Sequence, residues 1–179
     1  MKKGIFLPVT VIVLAACLLL GTSFLLKGVG EKRAQAEHLR IMQTILPDST
    51  DFVVEPYAGD DTTIRSVHKA DNGFVIETVT RGYADDIRMM IGISNEGTVT
   101  GLVVMEMAET FGLGAEALTD HVFLSQLLNT SGEAEVGTNV DAITGATVTS
   151  KAVTRSVNAA IAYVTGADTD SGATSWGGA

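Results

Sequence analysis

Cys17 is the only cysteine among the 179 residues. An intramolecular disulfide is therefore impossible, and cysteine-based zinc or iron-sulfur ligation within one chain is excluded. Whatever redox chemistry occurs here is not a thiol couple. Basic side chains are also scarce: 12 Lys and Arg stand against 21 Asp and Glu, a formal net charge of -9. No basic patch is available to hold a phosphate backbone, so no nucleic-acid partner is expected. The three histidines, His38, His68 and His121, lie far apart without ligand spacing and read as surface or core residues. Met89, Met90, Met105 and Met107 have no His or Cys beside them and read as strand or core packing rather than metal thioethers.

Length allows one domain of ordinary size plus a terminal segment. The one long uncharged run is Gly4 to Leu26, GIFLPVTVIVLAACLLLGTSFLL, with Lys2 and Lys3 before it and Lys27 after it. It exceeds the roughly 20 residues that a helix needs to cross a hydrocarbon core, and a helix satisfies its own backbone. Lys32, Arg33 and Arg40 compete with the leading lysines under the positive-inside rule, so the flanking charges leave orientation open. A cleaved signal peptide has an apolar stretch of only about 7 to 15 residues. Leu14-Ala15-Ala16-Cys17 also fits a lipoprotein processing signal, although Leu18, Leu19 and Leu20 follow the cysteine where polar residues are usual. Span length favours a retained anchor over both alternatives.

Glu31 to Leu46 places Ala34, Leu39, Met42 and Leu46 at broken helical spacing and stops at Pro47, which predicts a short amphipathic connecting helix. The period then changes to that of strands, over Asp51–Glu55, Thr63–Lys69, Phe74–Thr80, Ile87–Ser94 and Thr98–Met107. Asp71-Asn72-Gly73 and Asn95-Glu96-Gly97 are compact turn sequences, so antiparallel hairpins are expected rather than a βαβ repeat. Helical spacing returns over Thr119–Leu128, where Val122, Phe123, Leu127 and Leu128 are expected to share a face, and over Val148–Val164. The polar tail after Gly166 has no apolar pattern and is expected to be mobile. The fold class that follows is α+β, an N-terminal transmembrane helix followed by a twisted antiparallel sheet with helices. The expected boundaries are 1–27 for the anchor, 28–50 for the connecting helix, 51–166 for the domain and 167–179 for the tail.

Asp141-Ala142-Ile143-Thr144-Gly145-Ala146-Thr147-Val148-Thr149-Ser150 sits where a loop enters the last helix. Local physics reads it as a capped helix start, with Thr144 or Thr147 as N-cap. The same features suit a phosphate, since small residues admit a ligand close to the backbone and first-turn N–H groups favour an anion.

Asp141 to Thr147 resembles the flavinylation motif of FMN-binding domains, an Asp, two residues, Ser or Thr, then Gly-Ala-Thr. Glu109-Thr110-Phe111-Gly112-Leu113-Gly114 resembles that family's Glu-Thr-Pro-Gly-Leu-Gly segment, with Phe111 in place of Pro. Gly82-Tyr83, Asn95-Glu96-Gly97 and Phe123-Leu124 occur in matching order. The resemblance runs from about Gly82 to Val164, includes the anchor, and looks closest to the G subunits of Rnf ion-translocating electron-transport complexes. It implies FMN joined through its phosphate to Thr147 as a phosphoester, by a separate flavin transferase. It further implies that Glu109, Thr110, Gly112, Leu113, Gly114, Asp141, Thr144, Gly145, Ala146 and Thr149 surround the cofactor. No catalytic residue or metal ligand is implied. The expected role is an electron relay in a cytoplasmic-membrane complex coupling ferredoxin:NAD electron transfer to sodium or proton transport, with the main domain extracytoplasmic. Other Rnf subunits would be its partners. Two alternatives are a flavin subunit of a different quinone-directed or extracellular electron chain, and a non-redox anchored binding module. Asp168 to Thr174 repeats the short pattern without an apolar residue like Ile143 or a following helix, so Thr147 is the preferred acceptor.

Overall fold

The computed structural model describes Leu14, Ala15, Cys17, Leu18, residues 32–107, Ala115 and residues 118–167. The chain divides into two compact units, Met1–Arg40 and Ile41–Ala179. In the first, Leu14, Ala15, Cys17 and Leu18 are helical and exposed, as are most of residues 32–40. Among the described residues no helix is long and apolar enough to cross a membrane. Nearly all of the Gly4–Leu26 run lies outside them, as does the tail from Asp168 with its second Gly-Ala-Thr.

The second unit is built on five antiparallel strands in the order β1-β2-β3-β4-β5: Val53–Glu55, Ile64–Ala70, Gly73–Arg81, Asp86–Ser94 and Val99–Glu106. The turns expected at Asn72 and Asn95 make this a simple meander. At the second, the Gly97 N–H donates to the Ser94 carbonyl at 2.9 Å and Gly97 adopts φ +83°, the left-handed residue that closes this kind of hairpin. Asn95 joins the two turns by donating its amide Nδ2 to the Asp71 carbonyl at 3.0 Å. Ser49 donates its hydroxyl to Asn72 Oδ1, while Asn72 Nδ2 donates to the Pro47 carbonyl at 2.7 Å.

Successive strand residues point to opposite faces, and each face has its own core. Val67, Ile76, Ile91 and Ile93 pack with Val153, Val157, Ala160 and Ile161 of the long helix Thr147–Thr165. Residues 32–45 are helical (α1), His121–Ser125 form α2 and Thr147–Thr165 form α3. Each fully buried Val or Ile contributes about 1.5–3 kcal/mol by transfer from water. Thr80 fastens α3 to the sheet, its Oγ1 donating to the Ala152 carbonyl at 3.1 Å and lying 2.9 Å from Ser156 Oγ. Gly166, at φ +68°, ends the helix by donating its N–H to the Ala162 carbonyl at 2.8 Å. At the end of α3 the Tyr163 hydroxyl donates to Glu55 at 3.1 Å; burial first, and then Glu55, push its pKa up.

On the opposite face, Val75 and Met90 pack with Met42, Ile45 and Leu46. Gly92 and Gly101 are cross-strand partners here. A Cβ on Gly92 would strike the Ile45 carbonyl oxygen, and one on Gly101 would sit 2.7 Å from Ile45 Cα. The helix end therefore rests on bare backbone, where Thr100 Oγ1 donates to the Ile45 carbonyl at 2.6 Å. Farther along this face, Arg88 donates to Glu77 at 2.6 Å and to Glu106 at 2.9 Å. The Glu77 hydrogen bond and charge, aided by Glu106, hold the guanidinium above its ordinary pKa against the effect of burial.

Two expectations need correction. The helix expected over Thr119–Leu128 spans only His121–Ser125 and does not carry one shared apolar face: Phe123 and Leu127 are buried, whereas Val122 is 75% exposed and Leu128 38%. From Gln126, itself still right-handed, the α-helix gives way to tighter turns in which the Gln126, Leu127 and Leu128 N–H groups donate to the Phe123, Leu124 and Ser125 carbonyls at 3.2 Å, and Asn129, at φ +60°, then turns the chain back to β5. There the Asn129 N–H donates to the Val99 carbonyl and the Val99 N–H to the Thr130 carbonyl, both at 2.9 Å. Met89 and Met90 are core residues as expected and Met105 is partly buried, but Met107 lies past the end of β5 and is 42% exposed.

Candidate functional site

The loop before α3 is held at both ends. Gln126 grips the Asp141 peptide, accepting its N–H on Oε1 at 2.8 Å and donating Nε2 to its carbonyl at 3.3 Å. Then the Ala146 N–H donates to the Ile143 carbonyl at 2.9 Å, closing a tight turn in which Gly145 has φ +82°. A side chain is disfavoured in that conformation, which accounts for glycine at this place. Ser150 locks the turn from inside the helix: its buried hydroxyl donates to the Ala146 carbonyl at 3.0 Å and accepts the Ile143 N–H at 3.3 Å.

α3 thus starts at Thr147 with Ala146 in the N-cap position, at φ -125° and ψ 30°, and without a side-chain capping hydrogen bond. The expectation that Thr144 or Thr147 caps the helix is overturned. The Gly145 turn places a methyl side chain at the cap position and carries Thr147 into the helix itself. Thr147 is exposed, and so are Asp141, Thr144 and Gly145, whereas Ala146 and Thr149 are buried. An exposed hydroxyl consequently stands on the first turn of a 19-residue helix whose N-cap has no polar side chain to offer. The aligned peptide dipoles give such a terminus a positive potential.

Glu109, Thr110, Gly112, Leu113 and Gly114, together with Phe111, lie outside the described residues. Their flanks border an open cleft of about 600 Å³ between β5 and α2. Leu102, Val103 and Val104 line one side of it and Leu124 and Leu128 the other. Leu102, Val104, Leu124 and Ile143 of the Thr147 loop pack against the same core cluster. Among the described residues, no group of three His, Cys, Asp or Glu side chains is placed to hold a metal ion.

A model of the FMN-binding domain matches residues 82–162. The G subunit of the Na(+)-translocating ferredoxin:NAD(+) oxidoreductase complex of Acetobacterium woodii is 32% identical over 186 residues, covering 89% of each chain. The G subunit of an ion-translocating oxidoreductase complex of Methanosarcina acetivorans is 32% identical over 89% of this chain and 93% of its own. The chain belongs to this G-subunit family. A further member, from the proton-translocating ferredoxin:NAD(+) oxidoreductase complex of Clostridium ljungdahlii, is 33% identical over about half of each chain, 51% and 53%.

Within this G-type chain the matched FMN-binding region holds β4, β5, α2, the Thr147 loop and most of α3, and leaves β1, β2 and β3 outside. The residues present fit the phosphate end of FMN: a glycine turn, a small cap residue, a helix terminus and an exposed threonine hydroxyl. Gln126 had no sequence signal, because its side-chain amide pairs with a peptide 15 residues away. The cleft escaped for the same reason, since β5 and α2 form it only once folded.

Proposed function

We propose that this protein carries FMN as a phosphoester on Thr147 and serves as an electron relay in an ion-translocating ferredoxin:NAD oxidoreductase complex. The observation that carries the reading is the exposed Thr147 hydroxyl on the first turn of α3, behind an N-cap without a polar side chain. Attachment by a flavin transferase from FAD balances simply. The Thr147 oxygen forms the new P–O bond, the pyrophosphate bond to AMP breaks, and the hydroxyl proton leaves to solvent. Bound flavin supplies one- and two-electron chemistry, while the protein supplies position and electrostatics.

The chain's own groups divide the work. Ala146 and Gly145 keep bulk away from the phosphate, the first turn of α3 faces its charge, and Gln126 fixes the loop through Asp141. Asp141, Thr144 and Thr149 complete the loop; Glu109, Thr110, Gly112, Leu113 and Gly114 form the second approach to the cofactor. In this reading the Gly4–Leu26 run is a single-pass anchor in the cytoplasmic membrane, the domain faces away from the cytoplasm, and the other subunits of the complex are its partners. Relatives named for sodium and for proton translocation both match, and the proposed relay role is compatible with either ion.

Thr147→Ala is expected to abolish covalent flavin fluorescence in a denaturing gel while the domain stays folded, and Thr174→Ala to leave it unchanged. Fluorescence that persists in the first variant and disappears in the second would move the acceptor to the tail. A Ser131→Cys substitution in a Cys17→Ala background is expected to react with a membrane-impermeant maleimide in intact cells. Protection until lysis would place the domain in the cytoplasm.

A further inference from the structure

α3 is sunk into the fold along most of its length. From Thr147 to Ile161 only Thr147, Lys151 and Arg155 are exposed. They stand at i, i+4 and i+8, a single strip about 12 Å long. Ser150 and Thr154 border it on one side and Ala152 and Ala159 on the other, all of them buried. Asn158 lies in line with the strip and closes it: the buried amide accepts the Ala134 N–H and donates to the Ala134 carbonyl, both at 2.9 Å. What remains open to solvent is the acceptor hydroxyl and two cations.

Nothing in the helix itself favours the cations there. Like charges four residues apart repel, and the favourable place for a cation, the last turn, holds none. Neither Lys151 nor Arg155 has a carboxylate partner among the described residues. In the same unit Arg81 pairs with Asp85 and Asp86, Arg88 pairs with Glu77 and Glu106, and Lys69 lies 5.5 Å from the centre of the Phe74 ring. In a chain with 21 Asp and Glu, two neighbouring cations without an acid answer to a charge outside the chain. Helical side chains lean toward the N-terminus, so Lys151 leans toward Thr147 and Arg155 toward Lys151. A phosphate esterified to Thr147 occupies the first turn only; Arg155, two turns on, answers to something larger.

We infer that Lys151 and Arg155 are the docking strip of the flavin transferase, which meets them with an acidic surface and is thereby set against Thr147. This rests on Thr147 being the acceptor. The net negative charge of the chain repels an acidic surface elsewhere, so the strip fixes where the enzyme lands and speeds the encounter.

The test uses the full-length protein isolated without flavin from cells lacking the transferase, then loaded with purified transferase and FAD and read by peptide mass. A wild-type chain that takes no flavin on Thr147 defeats the functional reading before the strip is at issue. Given loading there, Lys151→Glu combined with Arg155→Glu is expected to raise the KM for this protein about tenfold, with kcat and the KM for FAD unchanged. Wild-type loading is expected to slow severalfold as salt is raised, and that dependence to vanish in the double variant. Arg65→Glu with Lys69→Glu, the same change in net charge made on β2, is expected to leave every value at the wild-type level. An unchanged KM for the double variant would overturn the assignment, and so would an equal loss from the β2 pair. A raised KM for FAD instead would overturn it too, by placing the cations on the dinucleotide. Both side chains are exposed, so the urea midpoint is expected to hold. The salt dependence of wild-type loading needs no variant, and loading indifferent to salt would overturn the docking by itself.

Discussion

The helices α2 and α3 begin in opposite ways. α2 has only five residues, and Asp120 caps it with one carboxylate oxygen that accepts the Val122 N–H at 2.7 Å and the Phe123 N–H at 3.0 Å. α3 has 19 residues and a far larger aligned dipole, yet the side chain at its N-cap is the methyl group of Ala146. A short helix with little propagation to support it uses a side chain to satisfy its own donors. The long helix is stabilised by its packing on the sheet and by Thr80 and Gly166, so its start is open to a ligand. In a protein of this acidity, a positive helix terminus beside an exposed hydroxyl is a place where a phosphate ester is stabilised rather than repelled.

Breaking the two starts separately gives different signatures. The largest effect is expected from Gly145→Val, which forces a β-branched residue to φ +82°; a cost of about 1–3 kcal/mol follows. Because that turn presents Thr147, flavin loading measured by intact mass is expected to fall together with the urea midpoint. Asp120→Ala should cost about 0.5–2 kcal/mol through the lost cap. Loading should be preserved in this variant, with faster exchange confined to α2 amides. Gln126→Ala sharpens the contrast by releasing the link between the helices. Removing its hydrogen bonds to Asp141 is expected to cost about 0.5–1.5 kcal/mol, with loading slowed but still complete after long incubation with the transferase and FAD. Loading that falls equally in all three variants would mean that overall stability governs attachment and that the α3 start has no special part.

The strands were legible because β-branched and alternating residues run between turns that tolerate positive φ, and their expected ends agree with the observed ends to within a few residues. The last helix was legible for a similar reason: its small and branched apolar residues keep the helical period from Val148 to Val164. α2 was less so. Its apolar run continues past the point where Asn129 turns the chain, and periodicity does not register a single left-handed residue. At the proposed site, the motif drew attention to the loop before α3, but local capping rules put a threonine where Ala146 stands. Those rules weigh side-chain chemistry and miss the Ile143–Ala146 turn that shifts the helix start. Gln126 and the cleft beside β5 depend on contacts between distant segments, which no local pattern carries.

Whether the flavin sits on Thr147 at the start of α3 is decided by tryptic peptide mapping of the membrane-purified protein. Cleavage after Arg88, Lys151 and Arg155 releases Met89–Lys151, which contains Thr147, apart from Ser156–Ala179, which contains Thr174. Met89–Lys151 is expected to be fluorescent, heavier by FMN less one water, and to fragment so that the added mass falls on Thr147. An unmodified Met89–Lys151 peptide, or the added mass on Ser156–Ala179, would contradict it.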